Sequence, residues 1–175
     1  MPASKSRLKA ELPKTGALRK VWGYREPVLW AAVTVLVATG QWPTVKGWYY
    51  RATGTAAPTS AVAWRSDLGG ALVEARSTHK RVLVAFSASW CPPCIAMKHD
   101  VWPDPDVARA IDAGYVPLMV DADQDNGLSA RYQVEGIPAV LVLDADGRVV
   151  KRNDGFLPRD GMLTFLASTA GPGAN

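Results

Sequence analysis

The stretch that most constrains this chain runs from Arg81 to Cys94. Residues Arg81, Val82, Leu83, Val84, Ala85 and Phe86 form an apolar, β-branched run that reads as a buried strand. Trp90-Cys91-Pro92-Pro93-Cys94 follows, and then Ile95-Ala96-Met97-Lys98, a run of good helix formers with no further breaker. The cysteine pair therefore belongs at a strand-to-helix junction, with Cys91 at the helix N-terminus. Free backbone N–H groups and the helix dipole stabilise a thiolate there. Cys91 and Cys94 are the only cysteines of the 175 residues, so all of the chain's thiol content sits in one pair able to close and reopen as a small disulfide. A four-residue loop stabilises a fold little when it is closed, which favours redox chemistry over a structural bridge.

Phe86-Ser87-Ala88-Ser89-Trp90-Cys91-Pro92-Pro93-Cys94 resembles the active-site run of the thioredoxin superfamily. A second match lies at Val134-Glu135-Gly136-Ile137-Pro138-Ala139-Val140, and Asp144-Ala145-Asp146-Gly147 then supplies a hairpin turn between apolar runs. The resemblance covers residues 63–170. Lys98 and the stretch Val101-Trp102-Pro103-Asp104-Pro105-Asp106-Val107 are similar to periplasmic members such as the C-terminal domain of DsbD-type reductases. The resemblance implies a mixed central sheet flanked by helices, with an exposed Cys91 as nucleophile and a shielded Cys94 as resolving thiol. It also implies a cis Ile137–Pro138 bond facing the disulfide, with Trp90, Ile137 and Pro138 as the substrate-docking surface. One position departs from the pattern. Thioredoxins carry a buried acid six residues before the first cysteine, where this chain has Ala85.

Pro92 and Pro93 lack N–H groups, so the Cys91 sulfur keeps mainly the Cys94 amide as a backbone donor. That lowers the Cys91 pKa less than in strong oxidants and favours a reducing or intermediate potential over an oxidising one. Lys98, four residues beyond Cys94, is a candidate for adding positive potential, though a solvated helix lysine is the plainer reading. No metal is expected. The rival that uses one, a copper or zinc chaperone built on Cys91, Cys94 and either His79 or His99, lacks a clear fourth ligand. The redox-active disulfide is expected to serve in place of any cofactor.

Charge is segregated along the chain. The net charge is +4 overall, but residues 1–26 hold seven Lys/Arg against two Glu, and residues 66–175 hold ten against fourteen Asp/Glu. The catalytic part is mildly acidic, which excludes a nucleic-acid footprint there. Residues 27–45 carry no charge and as a helix span roughly 28 Å, close to a bilayer's hydrocarbon thickness. Trp22 and Tyr24 flank one end, and Trp42, Trp48, Tyr49 and Tyr50 the other, as an interfacial belt does.

The expected organisation is thus a basic cytoplasmic tail over 1–26, a single-pass transmembrane anchor over 27–45 and a linker over 46–62. A thioredoxin-like domain follows over 63–170, with a C-terminal tail over 171–175. A buried core helix leaves the aromatic and charged flanks of 27–45 unexplained. A cleaved signal peptide is the other rival, but no small-x-small site follows the apolar run closely, and Ala61-Val62-Ala63 lies far downstream. Either alternative to a core helix places the domain outside the cytoplasm, on the periplasmic side of the inner membrane. The expected activity is reduction of disulfides in exported proteins, with oxidase or isomerase activity as the alternative. Two cysteines cannot recharge themselves, so a membrane electron carrier, or a quinone-linked partner for an oxidase, is implied.

Overall fold

In a computed structural model of the chain, residues 27–35 and 39–169 are described. The chain divides into two compact units, Met1–Gln41 and Trp42–Asn175. In the first, residues 27–35 are helical, and Val28, Leu29, Trp30, Val33 and Val35 are all exposed. Residues 36–38 of the expected anchor, and the tails at 1–26 and 170–175, lie outside the described residues.

The second unit opens with α1 (Trp42–Thr53) and α2 (Leu68–Thr78), followed by strand β1 (Arg81–Ser87) and helices α3 (Pro92–Asp100) and α4 (Pro105–Gly114). Strand β2 (Tyr115–Asp121), helix α5 (Asn126–Arg131), strands β3 (Ala139–Leu143) and β4 (Val149–Asp154) and helix α6 (Arg159–Ala167) complete it. The sheet order is β2-β1-β3-β4. Strand β1 runs parallel to β2 and antiparallel to β3, and β3 and β4 form an antiparallel hairpin.

The alternation of β1 decides which helices cover which face. Leu83 and Ala85 point into a core with Met97 and Trp102, Val107 and Ile111 of α4, and Met162 and Leu166 of α6. Val82, Val84 and Phe86 point the other way, toward Leu68, Ala71 and Ala75 of α2 and toward Tyr132. The expected mixed sheet between helical layers is what forms. Pro117 sits in β2, an edge strand, opposite Leu83. Its neighbour two residues on, Met119, donates its N–H outward to the Arg65 carbonyl at 3.0 Å. The N–H that Pro117 lacks would point the same way, so no β1–β2 ladder bond is lost.

Two expectations about the N-terminal segments are corrected. Residues 27–45 are not one helix, because Gln41 is a turn and α1 starts afresh at Trp42 in the second unit. Pro43 at its second position suits a helix start and cannot donate to a preceding turn. No helix among the described residues is long and apolar enough to cross a membrane. The linker expected over 46–62 is helical as far as Thr53. Smaller differences fall at element ends: the apolar runs predict hairpin strands over 139–144 and 147–152, which form at 139–143 and 149–154, and beyond the predicted inward residues Met162, Leu163 and Leu166 of α6, Phe165 is also buried.

One ionic tie links two helices beneath the sheet. Asp104 caps α4 by accepting from the Asp106 and Val107 amides at 2.9 and 3.1 Å, and it accepts from Arg159 Nε at 2.8 Å. Arg159 also pairs with Asp106 and Asp160. The Arg159 hydrogen bond, helped by the capping amides and opposed by desolvation, holds the Asp104 carboxyl below its ordinary value of 3.8. A depressed carboxylate stabilises the fold above its unfolded pKa, and that contribution disappears as pH falls through the folded value. Asp104→Asn keeps a capping side chain but loses the charge. It is expected to lower Tm by a few degrees at pH 7 and to flatten the loss of stability with pH below about 4, as followed by thermal melts across a pH series.

Candidate active site

Strand β1 ends at Ser87, and Cys91 is the N-cap of α3, with Pro92 and Pro93 occupying its first turn. Proline suits these positions because the first-turn N–H groups have no helical partner. Cys91 and Cys94 form a disulfide with Cα atoms 5.3 Å apart. The Cys94 amide donates to Cys91 Sγ at 3.3 Å, the backbone donor expected to survive the two prolines. Cys91 Sγ also lies 3.7 Å from the Ile137 carbonyl. The disulfide has no proton to give, so that contact becomes a hydrogen bond only in the dithiol. The Ile137–Pro138 peptide bond is cis, as the resemblance implies.

The two sulfurs are not divided into exposed and shielded. Cys91 is 2% exposed and Cys94 3%, and both pack with Ala88 against Ile137. The exposed neighbour is Trp90, 53% accessible, whose indole Nε1 donates to Asp123 at 2.8 Å. Trp90 therefore flanks the disulfide rather than filling the core. Lys98 is an exposed residue of α3, and Pro92 and Pro93 are half-buried.

Ala85 lies where a carboxylate would act on Cys94. It is 2% exposed, and together with Cys94, Met97, Trp102 and Pro138 it lines a cavity of about 10 Å³, room for one water at most. Its register partner in β2 is Met119. Apart from Ser87 the side chains lining the space beneath Cys94 are apolar, and none of them carries a carboxylate.

Helix α1 is the part of the site that pattern reading missed. Gly47 is its one buried residue and packs on the Pro92 backbone, where a Cβ would fall 1.8 Å from the Pro92 carbonyl oxygen. Lys46 Nζ and Tyr50 Oη both donate to Asp100, at 2.6 and 2.9 Å. The Tyr50 ring stacks on His99 with centroids 4.0 Å apart. Burial lowers the His99 pKa, with Asp100 opposing and Lys98 reinforcing the shift. Arg51 Nη1 donates to the Trp90 carbonyl at 3.3 Å. Tyr50 was expected in an interfacial belt, and it instead joins α1 to α3. Asp100, a carboxylate in the last turn of α3, was the available signal: there the helix dipole disfavours an unpaired anion, so a cationic partner has to be nearby.

Beyond Thr53 the chain crosses in front of α3, leaving an open groove of about 830 Å³ between residues 54–60, α3 and the end of β2. Trp64, Trp102 and Met119 line it along with Lys98, His99 and part of Cys94. His99 is engaged with Tyr50, and His79 ends α2 in the left-handed region with φ 56°. Among the described residues no group of three or more His, Cys, Asp or Glu is placed to hold a metal ion.

A helix-capping dithiol beside a cis proline, on a mixed sheet between helical layers, defines a thiol–disulfide exchange protein. The thioredoxin-like domain family matches residues 68–170, more than half of the chain, and the chain belongs to that family. It is 31% identical over 90 residues to a thioredoxin of Mycoplasmoides gallisepticum, covering 51% of this chain and 85% of that protein. It is 29% identical over 158 residues to the thiol:disulfide interchange protein DsbD 2 of Pseudomonas aeruginosa, covering 81% of this chain but 27% of that one. Among solved structures, a Thermus thermophilus thioredoxin superposes with a TM-score of 0.56 at 30% identity, covering 62% of this chain and 86% of that one. The oxidised C-terminal domain of Neisseria meningitidis DsbD shares the fold, with a TM-score of 0.51 at 24% identity over 61% of this chain and 98% of its own. The chain is thus a thiol:disulfide oxidoreductase of the thioredoxin type, with a DsbD-like resemblance.

Proposed function

We propose that this enzyme reduces disulfides of exported proteins, with Cys91 as nucleophile and Cys94 as resolving thiol. The observation that carries the direction is the Cys94 amide, the one α3 amide donating to Cys91 Sγ where two prolines stand between. A thiolate with so few donors is less stabilised than in an oxidant, and a dithiol that is not strongly stabilised gives its electrons away. In the cycle, the Cys91 thiolate attacks one sulfur of the substrate disulfide, and the other leaves as a thiolate that takes up a proton. Cys94, deprotonated, then attacks Cys91 Sγ, releases the second substrate thiol and closes the Cys91–Cys94 disulfide. Trp90, Ile137 and Pro138 border the disulfide where an extended substrate strand would lie. The disulfide itself is the redox group, and no cofactor is required by these steps.

Recharging the dithiol needs two electrons from a partner, read here as a membrane electron carrier. Anchoring by the part of the uncharged run that precedes α1, residues 27–41, with the domain on the extracytoplasmic side of the inner membrane, is supported by the lack of charge in that stretch, by the basic residues before it and by five exposed large apolar side chains in 27–35. The similarity to a DsbD over 81% of this chain supports the same placement.

The reduction potential of the full chain tests the direction. Equilibration against dithiothreitol or glutathione is expected to give a value near the reductant end of this fold, about −270 mV. A value near −120 mV, the strong-oxidant end, overturns the reductase reading and leaves an oxidase or isomerase.

A further inference from the structure

The thioredoxin-like match begins at residue 68, yet a helix that ends at Thr53 packs directly on the redox helix. Four contacts fix its register. Gly47 seats on Pro92, Lys46 and Tyr50 converge on Asp100, and the Tyr50 ring lies flat on His99. The fourth is Arg51, whose guanidinium is held between the Trp48 ring, 5.6 Å from its centroid, and the Trp90 carbonyl at 3.3 Å. That carbonyl belongs to the peptide bond that joins Trp90 to Cys91. An arginine cation is thus brought, by a helix outside the family domain, to the residue before the nucleophile.

The motif itself gives this cation a task. Pro92 and Pro93 strip two donors from the turn that would stabilise a Cys91 thiolate, and Ala88 and Ile137 pack apolar surface around the sulfur. Burial among apolar groups raises a thiol's pKa, while a nearby cation lowers it. The ionisable side chains nearby are Lys46 and Tyr50 on α1, both committed to Asp100 of α3, Arg51 on α1, Lys98 and His99 on α3, Asp121 at the end of β2 with Asp123 beyond it, and Glu135 on the loop before Ile137. His99 is spent on its stack with Tyr50, and Asp123 accepts from the Trp90 indole on the other side of that residue. Arg51 is the cation tied to the Trp90–Cys91 peptide.

We propose that Arg51 is a positioning residue for the redox reaction, held by docked helix α1 so that its charge favours the Cys91 thiolate that the double-proline motif leaves under-stabilised. The proposal rests on Cys91 being the nucleophile, as read above. It does not depend on the direction of electron flow.

The test is the pH profile of Cys91 alkylation by iodoacetamide in the full chain carrying Cys94→Ser, so that one thiol reports. The midpoint gives the thiol pKa, and the high-pH plateau gives access. Arg51→Gln is expected to move the midpoint up, cutting the thiolate fraction at pH 7 by about three- to tenfold with the plateau unchanged. Arg51→Lys is expected to retain most of the parent midpoint. Gly47→Leu, which cannot seat on Pro92, should reproduce the Arg51→Gln midpoint by lifting α1. An unchanged midpoint in Arg51→Gln overturns the proposal. So does a midpoint that moves in Gly47→Leu alone, because helix coverage and not the arginine charge would then set the pKa. If Cys91 is not the nucleophile at all, the parent trap Cys94→Ser forms no mixed disulfide with a substrate, a failure separate from any midpoint.

Discussion

Cys91→Ser is expected to lower the turnover of protein disulfide reduction by about a thousandfold or more, because the attacking atom at the head of α3 is gone. Cys94→Ser is expected to fail differently. Its first step survives, since Cys91 keeps its place at the head of α3 and the residue 94 amide still points at the sulfur. The second step cannot occur, so a mixed disulfide between Cys91 and the substrate accumulates. Non-reducing gels and mass spectrometry of the adduct check both outcomes. Equal trapping by the two variants contradicts the assignment of roles, because it would mean that either sulfur can be attacked from outside.

Ala85→Asp is expected to have the second-largest effect, and its two consequences run in opposite directions. The carboxyl would enter a small, mostly apolar site shared with Cys94, Met97 and Trp102. Burial there costs about 3 kcal/mol of stability. Burial also raises the new carboxyl's pKa, so the protein is least destabilised below the unfolded carboxylate range and loses further stability as pH rises through the folded value. The same carboxylate stands beneath the resolving thiol and can take its proton. Resolution of the mixed disulfide is therefore expected to speed up by about tenfold or more near neutral pH. Chemical denaturation measures the first effect and quenched-flow trapping the second. A variant that is destabilised but resolves no faster would mean that Cys94 already has an efficient base elsewhere.

Much of the domain was legible because local signals agreed with one another. Ser66 or Asp67 reads as a cap ahead of Leu68, and Asp104 before Pro105 as a helix start; Asp67 and Asp104 are the residues that accept the amide bonds of N-caps. A proline within the apolar run 115–120 argues for an early or an edge position, and Pro117 lies in an edge strand with its missing N–H turned outward. The Ile137–Pro138 segment was recognisable because glycine, a branched residue and proline stand in order before a pure β run. Helix α1 was not legible as a docked element. Its exposed face carries Trp48 and Tyr49, at 56% and 62% exposure, which mimic a membrane-interface belt. Its buried face is a single glycine, and a glycine has no side chain for hydropathy to register. The partners that hold it, Asp100 and His99, lie some fifty residues further on, and no local pattern links them. The burial of Cys91 escaped for a related reason, because it depends on Ile137 folding back over the motif from a distant loop.

The most direct measurement is a stoichiometric electron transfer with no other reductant present. The full chain is reduced, freed of reductant and mixed with an excess of a disulfide-bonded protein. Thiols are then counted on both partners after an acid quench. The expected result is one Cys91–Cys94 disulfide formed for each substrate disulfide opened, with two thiols gained by the substrate and two lost by the enzyme. Retention of both enzyme thiols, or a mixed disulfide that never resolves in the unsubstituted protein, would contradict a reversible Cys91–Cys94 couple as the working part of this molecule.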